Sequence, residues 1–197
     1  AYNKGMEKYT QQQSKANYDR LSRWYDLIAG SSEQRFRKIG LEMLDPQPGE
    51  KIMELGCGTG QSILAINETL GKNGLAIGLD LSPGMLKVAK ARFSKVKHAP
   101  ILLNGSANAM PVRVQSLDAV FICFTFELFS EEQMQAVLSE IKRSLLTEGR
   151  LVIVSMALPQ KPSLISKSYA WAHEHYPNLC DCRPIDARSI TEKTGFS

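Results

Sequence analysis

A short apolar segment that runs directly into alternating glycines constrains the fold of this chain more than any other feature. Residues 52–55 are apolar apart from Glu54, and Gly56, Gly58 and Gly60 follow. Glycine is needed where the backbone turns with positive φ or where a ligand approaches the main chain closely. The pattern therefore predicts a buried strand that turns sharply into a helix.

A second apolar segment, residues 75–79, ends at Asp80, twenty residues after Gly60. A carboxylate at the tip of the neighbouring parallel strand can accept hydrogen bonds from both hydroxyls of a ribose. Dinucleotide enzymes typically carry G-x-G-x-x-G in this turn, whereas the spacing here is G-x-G-x-G, one residue shorter. We predict a nucleoside site over the carboxyl ends of these two strands.

Strand and helix patterns alternate along most of the chain. Predicted strands cover residues 51–55, 75–79, 100–103, 117–121 and 151–155. Predicted helices cover residues 11–28, 32–44, 61–70, 83–93, 131–146, 163–175 and 185–194. Such alternation predicts a doubly wound, mostly parallel α/β sheet with helices on both faces. The 197 residues fit one domain, in which residues 1–44 form a lid of N-terminal helices and residues 45–197 form the cofactor-binding core.

Composition narrows the classes of partner. No apolar run approaches the ~20 residues of a membrane helix, so no membrane span is predicted. The net charge of +4 is scattered, which does not favour a nucleic-acid groove. The four cysteines do not form a disulfide framework, which favours a cytoplasmic location. The oligomeric state stays open.

Two histidines and two cysteines near the carboxyl end could suggest a zinc site. His173 and His175 are spaced H-x-H, and Cys180 and Cys182 are spaced C-x-C. Zinc sites usually use C-x₂₋₄-C and H-x₃₋₅-H spacings, so we predict that the chain holds no metal.

Several segments resemble the class I S-adenosylmethionine-dependent methyltransferases. Residues 54–60, Glu-Leu-Gly-Cys-Gly-Thr-Gly, resemble motif I of that family, and residues 80–86 resemble its next motif. Residues 105–111 resemble the loop after its third strand. Over residues 10–197 the chain is most similar to small methyltransferases related to the ubiquinone and menaquinone C-methylating enzymes. The resemblance implies a Rossmann-like fold and S-adenosylmethionine as cofactor.

The resemblance also implies a set of residues at the cofactor. The glycine loop would meet the methionine end, Asp80 the ribose, and Leu81 and Met85 the adenine faces. Ordinary packing stays an alternative for Met85, and a purely structural role for Glu54. The cofactor-binding prediction comprises Tyr25, Glu54, Gly56, Cys57, Gly58, Gly60, Asp80, Leu81, Met85, Ser106, Ala107 and Cys123.

The chain departs from the family pattern at two places. Ser106 stands where the family usually has an aspartate that holds the adenine amino group, and serine offers only a shorter, neutral acceptor. The resemblance also implies an antiparallel hairpin that completes the sheet after a Gly-Phe pair, whereas the sequence stops at Ser197, just after Gly195 and Phe196.

The segment after the fourth strand, residues 123–129, is expected where an acceptor would meet the methyl group. Phe124, Phe126 and Phe129 are predicted to form an apolar wall. Thr125 and Glu127 are the catalytic candidates, Glu127 as a general base or, alternatively, as a structural glutamate.

The sequence thus predicts an S-adenosylmethionine-dependent methyltransferase that acts on a small, apolar or aromatic acceptor. The alternatives are a non-catalytic module that binds S-adenosylmethionine, or an NAD-type oxidoreductase. A glycine loop and a ribose carboxylate do not identify the acceptor, nor whether carbon, nitrogen or oxygen is methylated.

Overall fold

The computed structural model describes residues 30–157 and 184–196. Five strands form one sheet in the order β3-β2-β1-β4-β5. The strands are β1 (Lys51–Leu55), β2 (Leu75–Asp80), β3 (Ile101–Asn104), β4 (Leu117–Cys123) and β5 (Leu145–Val154). The helices are α1 (Gly30–Leu44), α2 (Gln61–Leu70), α3 (Pro83–Arg92), α4 (Glu131–Ser144) and α5 (Ala187–Lys193).

All strand pairs of this sheet are parallel. β1 pairs with β2 on one side and with β4 on the other, so the strand order reverses beside β1. The outer pairs, β2 with β3 and β4 with β5, are parallel as well. The carboxyl ends of β1, β2 and β4 therefore meet at one edge of the sheet, the place where open α/β sheets bind ligands.

Alternate residues of each strand enter two separate cores. Ile52 and Phe121 face α1, α2 and α3 and pack with Ile63. Met53 and Ile122 face the opposite side and pack against α4. Because both faces of every inner strand are covered, these strands are almost continuously apolar. The predicted doubly wound α/β sheet with helices on both faces is confirmed.

Helix α1 lies very close to β4 and β5. A side chain at Gly40 would collide with Val154 and Phe121, so only glycine permits this approach. The guanidinium of Arg150 fixes the end of the helix, since its Nε donates to the carbonyl of Leu44 at 2.6 Å and its Nη1 and Nη2 bind the Glu50 carboxylate at 2.8 Å. Helix α1 is thereby held against the sheet, with its first turns near the carboxyl ends of the strands.

The structure differs from the sequence prediction mainly at β5. The ladder begins at Leu145, which pairs with Leu117, and a register shift follows before Arg150 pairs with Ala119. Residues 147–149, Thr-Glu-Gly, resemble a turn, so the sequence prediction started this strand only at residue 151. The predicted helices at 11–28 and 163–175 lie outside the described residues, as does most of the predicted lid. No helix in the described ranges is long and apolar enough to cross a membrane.

Candidate active site

A cleft opens at the carboxyl ends of β1, β2 and β4, with α1 on one side. It brings together most of the predicted cofactor-binding residues: Glu54, Gly56, Cys57, Gly58, Asp80, Leu81, Met85, Ser106, Ala107 and Cys123. Gly60 and Glu127 are not among its lining residues, and Tyr25 lies outside the described part of the chain.

The three glycines of the loop have positive φ angles, 71° at Gly56, 51° at Gly58 and 81° at Gly60, but for different reasons. At Gly56 a side chain would collide with Thr125, and at Gly60 it would meet Phe93 at 2.6 Å. Gly60 therefore serves the packing of α2 against the end of α3. At Gly58 no described atom lies within 4 Å of where a Cβ would stand. Gly58 is the position that leaves main chain exposed to the cleft.

Asp80 ties this loop to the start of α3. One carboxylate oxygen accepts the amide of Gly58 at 2.7 Å, and the other accepts the amide of Ser82 at 2.8 Å. Each carboxylate oxygen can accept more than one hydrogen bond, so both remain suited to ribose hydroxyls. Ser82 in turn caps α3 by accepting the amide of Met85 at 3.1 Å.

The adenine-side candidates lie on the next strand connection. Ala107 and Met85 are buried and line the cleft together with Leu81. The hydroxyl of Ser106 accepts the amide of Asn108 at 3.3 Å. Ser106 thus shapes its own turn, and it lies in the lining where the family pattern places a longer acid.

Glu54 is a buried carboxyl group at the floor of the cleft, only 2% exposed. Burial raises its pKa to about 8, although hydrogen bonds from Ser62 and Ile63 and the charge of Arg37 oppose the shift. Its Oε2 has no hydrogen-bond partner among the described residues. A buried, unsatisfied carboxyl oxygen beside a cleft favours a ligand that brings a cation or a donor.

We expect the stability of the cofactor-free chain to fall as the pH rises from about 4.5 to about 8. The folded state binds the Glu54 proton up to its raised pKa of about 8, whereas the unfolded state releases it near the ordinary value of 4.5. The loss is on the order of 3–5 kcal/mol. Urea denaturation across this range should give a shallower pH dependence for Glu54→Gln. An equal slope in both proteins would contradict the buried, protonated carboxyl.

Sequence reasoning missed the contribution of α1. Glu33 and Arg37 line the cleft from this helix, and the guanidinium of Arg37 donates to the side-chain oxygen of Gln61 at 2.5 Å. The spacing of four residues places them on the same helix face as Gly40, which packs on the sheet. The sequence signal that could have revealed this contribution is the pair of opposite charges, Glu33 and Arg37, on the face of α1 that packs on the sheet. Arg37 is the one lysine or arginine among the described lining residues.

Only part of the segment after β4 forms the apolar wall that the sequence predicted. Phe124, Leu128 and Phe129 line the cleft. Phe126, predicted for the wall, is 0% exposed and packs in the core on the α4 side, with Phe129 against it at a centroid distance of 6.3 Å. Residues 126–128 form a short 3₁₀ turn. This turn explains why Phe126 enters the core while Phe124 and Phe129 line the cleft.

Thr125 and Glu127 were predicted to be catalytic, and the structure places them differently. Thr125 lines the cleft, and its hydroxyl lies 3.2 Å from the carbonyl of Cys123 and 3.4 Å from that of Gly56. Glu127 is 1% exposed and accepts the amide of Met156 at 3.2 Å. The Glu127 carboxylate therefore joins the turn after β4 to the chain after β5, which fits the structural alternative.

We expect Glu127→Gln to lower the melting temperature by roughly 2–4 °C, because the hydrogen bond that the buried carboxyl group accepts from the Met156 amide is weakened. Turnover per folded molecule should stay within about twofold, whereas loss of a general base would reduce it ~100-fold. Thermal melts and turnover measured on one preparation separate the two roles. Glu131→Gln, at the exposed first turn of α4, is the matched control.

Nucleophilic chemistry by the cleft thiols is disfavoured. Burial raises the pKa of Cys123 to about 12 and also raises the pKa of Cys57. Both are therefore neutral thiols near neutral pH, and the thiolate is the reactive form. The described residues contain no group of three or more metal-ligating side chains, and the His173–Cys182 stretch lies outside them.

The cleft fits S-adenosylmethionine. Gly58 leaves room for close approach, Asp80 offers a carboxylate at the end of β2, and Glu54 holds an unsatisfied oxygen. Arg37 supplies a cation whose charge acts on that acid. The acidic and basic groups match the ammonium and carboxylate of an amino-acid end.

Comparison with known proteins identifies methyltransferases as relatives of this chain. Residues 52–149 match the family model of a methyltransferase domain. The chain is 31% identical over 166 residues to the demethylmenaquinone methyltransferase of Lactococcus lactis, covering 82% of this chain and 65% of that protein. A similar enzyme of Shouchella clausii is 30% identical over 137 residues, covering 69% and 57%. The chain thus spans less than two thirds of the length of these relatives.

Solved structures agree on the fold. The phosphoethanolamine N-methyltransferase 2 of Haemonchus contortus, in complex with S-adenosyl-L-methionine, superimposes with a TM-score of 0.68 at 22% identity, over 90% of this chain and 41% of that one. An S-adenosylmethionine-dependent methyltransferase of Aquifex aeolicus gives a TM-score of 0.58 at 18% identity, over 83% and 87%. With the glycine loop, Asp80 and the parallel sheet already in place, the family-model match and the sequence relatives lead to one assignment. The chain belongs to the class I S-adenosylmethionine-dependent methyltransferases.

Proposed function

We propose that the chain transfers a methyl group from S-adenosylmethionine to a small, apolar or aromatic acceptor. The observation that carries the proposal is the make-up of one cleft. The same cleft is lined by the glycine loop, Asp80 and Glu54 and by the apolar side chains of Phe124 and Phe129. A purely cofactor-binding module would not need an apolar wall beside the methionine end.

The chain's residues would hold the cofactor at several points. Asp80 accepts the ribose hydroxyls, and the main chain at Gly58 lies against the ligand. Arg37 pairs with the carboxylate and Glu54 with the ammonium, which satisfies the carboxyl oxygen that now has no partner. When bound, S-adenosylmethionine supplies an electrophilic methyl group on a sulfonium.

The remaining task of the protein is alignment and exclusion of water. Good alignment of two reactants can lower a reaction barrier by about 7–11 kcal/mol in favourable cases. The apolar residues Phe124, Leu128 and Phe129 suit an acceptor with little charge. Thr125 is the polar cleft residue in the 123–129 segment, and its hydroxyl can orient an acceptor oxygen.

A finer assignment follows the relatives. They are named demethylmenaquinone methyltransferases, so the acceptor that their name gives is a demethylmenaquinone. We extend the acceptor class to a flat hydroxylated aromatic ring of this kind. Incubation with S-adenosylmethionine and 1,4-dihydroxynaphthalene, followed by mass spectrometry, should detect a methylated product. Retention of the cofactor with no product from any aromatic acceptor would favour the non-catalytic binding module.

The charge assignment at α1 has its own test. We expect Arg37→Met to weaken S-adenosylmethionine binding about tenfold or more, because a charge-assisted hydrogen bond contributes roughly 1.5–3 kcal/mol. Decarboxylated S-adenosylmethionine lacks the partner of Arg37, so its affinity should change little in the same variant. Calorimetry measures both ligands.

Arg35→Met is the matched control, since Arg35 is exposed on the same helix and does not line the cleft. Equal losses for both ligands in Arg37→Met would show that Arg37 acts on the fold of the cleft and not on the carboxylate.

A further inference from the structure

Phe124 has a backbone conformation that is unusual for a bulky side chain. Its φ is 52°, in the left-handed region that glycine adopts readily and that other residues rarely adopt. Residues kept in such conformations persist only where their surroundings determine them, and they cluster at functional sites.

The neighbours of Phe124 are tied on both sides. The amide of Phe124 donates to the carbonyl of Val154 at 2.8 Å, which holds it to β5. The side chain of Thr125 lies against Gly56, where no larger residue would fit. With both flanks fixed, the bend falls on residue 124. Glycine would make the same bend without strain, so the fold alone does not account for a phenylalanine here.

The phenyl group of Phe124 does not serve the core. Phe121 and Phe126 are fully buried and belong to the two core clusters. Among the described residues Phe124 is part of neither cluster, yet it lines the cleft with Leu128 and Phe129. A strained aromatic residue outside the core and inside the cleft is best explained by contact with a ligand.

We propose that Phe124 is a specificity-determining residue whose ring forms a flat wall of the acceptor pocket and selects planar aromatic acceptors. The inference rests on the proposed methyl transfer and deepens it. Aromatic pairs in offset or edge-to-face arrangements gain stability beyond the area they bury, which saturated rings do not.

The test compares two probes on protein saturated with S-adenosylhomocysteine. Calorimetry should show that 1-naphthol binds about fivefold more tightly than decahydro-1-naphthol to the unchanged chain. Phe124→Gly and Phe124→Leu should both lose this preference, and Phe124→Tyr should keep it. Affinity for S-adenosylhomocysteine should stay within about twofold in all three.

The backbone strain at Phe124 is tested separately, by melting temperature. Phe124→Gly should melt roughly 2–6 °C higher than the unchanged chain, and above Phe124→Ala, because glycine relieves the left-handed backbone. Gln115→Gly is the matched control, since Gln115 is exposed in the turn before β4 with a φ of 47°. It should also raise the melting temperature, but the preference for 1-naphthol should remain.

Three results would overturn the inference: no preference for 1-naphthol in the unchanged chain, a preference that survives in Phe124→Gly, or a lower melting temperature for Phe124→Gly than for Phe124→Ala. If the unchanged chain does not bind S-adenosylhomocysteine, the proposed function fails together with this inference. If it binds S-adenosylhomocysteine without discriminating the two probes, only the role of Phe124 fails.

Discussion

Gly58→Val should reduce affinity for S-adenosylhomocysteine at least ~100-fold, which corresponds to about 2.7 kcal/mol. The added side chain would stand in the open space of the cleft, where no described atom now lies within 4 Å. The φ of 51° at this position also disfavours a β-branched residue, so some loss of stability is expected as well.

Gly49→Val separates blocked space from strained backbone. Gly49 has a φ of 90° and equally open surroundings, but it lies in the turn before β1, away from the cleft. Both variants should melt at a lower temperature than the unchanged chain. Only Gly58→Val should bind S-adenosylhomocysteine more weakly, as measured by calorimetry below the melting range. Unchanged affinity in Gly58→Val would contradict close approach of the ligand at this loop.

Asp80→Ala should weaken binding of the same ligand by ~100-fold or more. Hydrogen bonds to a charged acceptor contribute roughly 1.5–3 kcal/mol each, and two ribose hydroxyls would lose theirs. The variant also removes the acceptor of the Gly58 amide at 2.7 Å, so the loop loses an anchor in addition to the ligand losing a partner.

Asp118→Ala is the control for Asp80. Asp118 accepts the amide of Lys51 at 2.8 Å, a bond of the same kind, but at the opposite end of the sheet. Calorimetry should find its affinity for S-adenosylhomocysteine unchanged. If both aspartate variants bind equally well, Asp80 does not hold the ribose.

The sheet was predictable because its signals are local. Residues 51–55 and 75–79 are apolar runs that end in glycine or aspartate, and such runs specify buried parallel strands. That Gly58 and Asp80 line one cleft followed from the same segments, since both stand at the strand ends. Parallel topology then brings them together without further information.

Other parts of the site depend on contacts that spacing does not show. Arg37 reaches the cleft only because Gly40 lets α1 approach β5, a contact between residues far apart in sequence. Phe126 and Glu127 turn inward because residues 126–128 form a 3₁₀ turn, which the sequence pattern did not predict. Tertiary contacts of this kind override local periodicity.

The contact between Thr125 and Gly56 has a consequence for how such a protein can change its acceptor. The glycine loop, which we propose faces the cofactor, and the segment after β4, which we propose faces the acceptor, touch where Gly56 leaves no space for a side chain beside Thr125. A larger residue at 125 would displace both at once and impair every reaction of the chain. We therefore expect new acceptors to arise through substitutions at residues 124, 128 and 129, which line the cleft, while residue 125 stays small in descendants with different substrates.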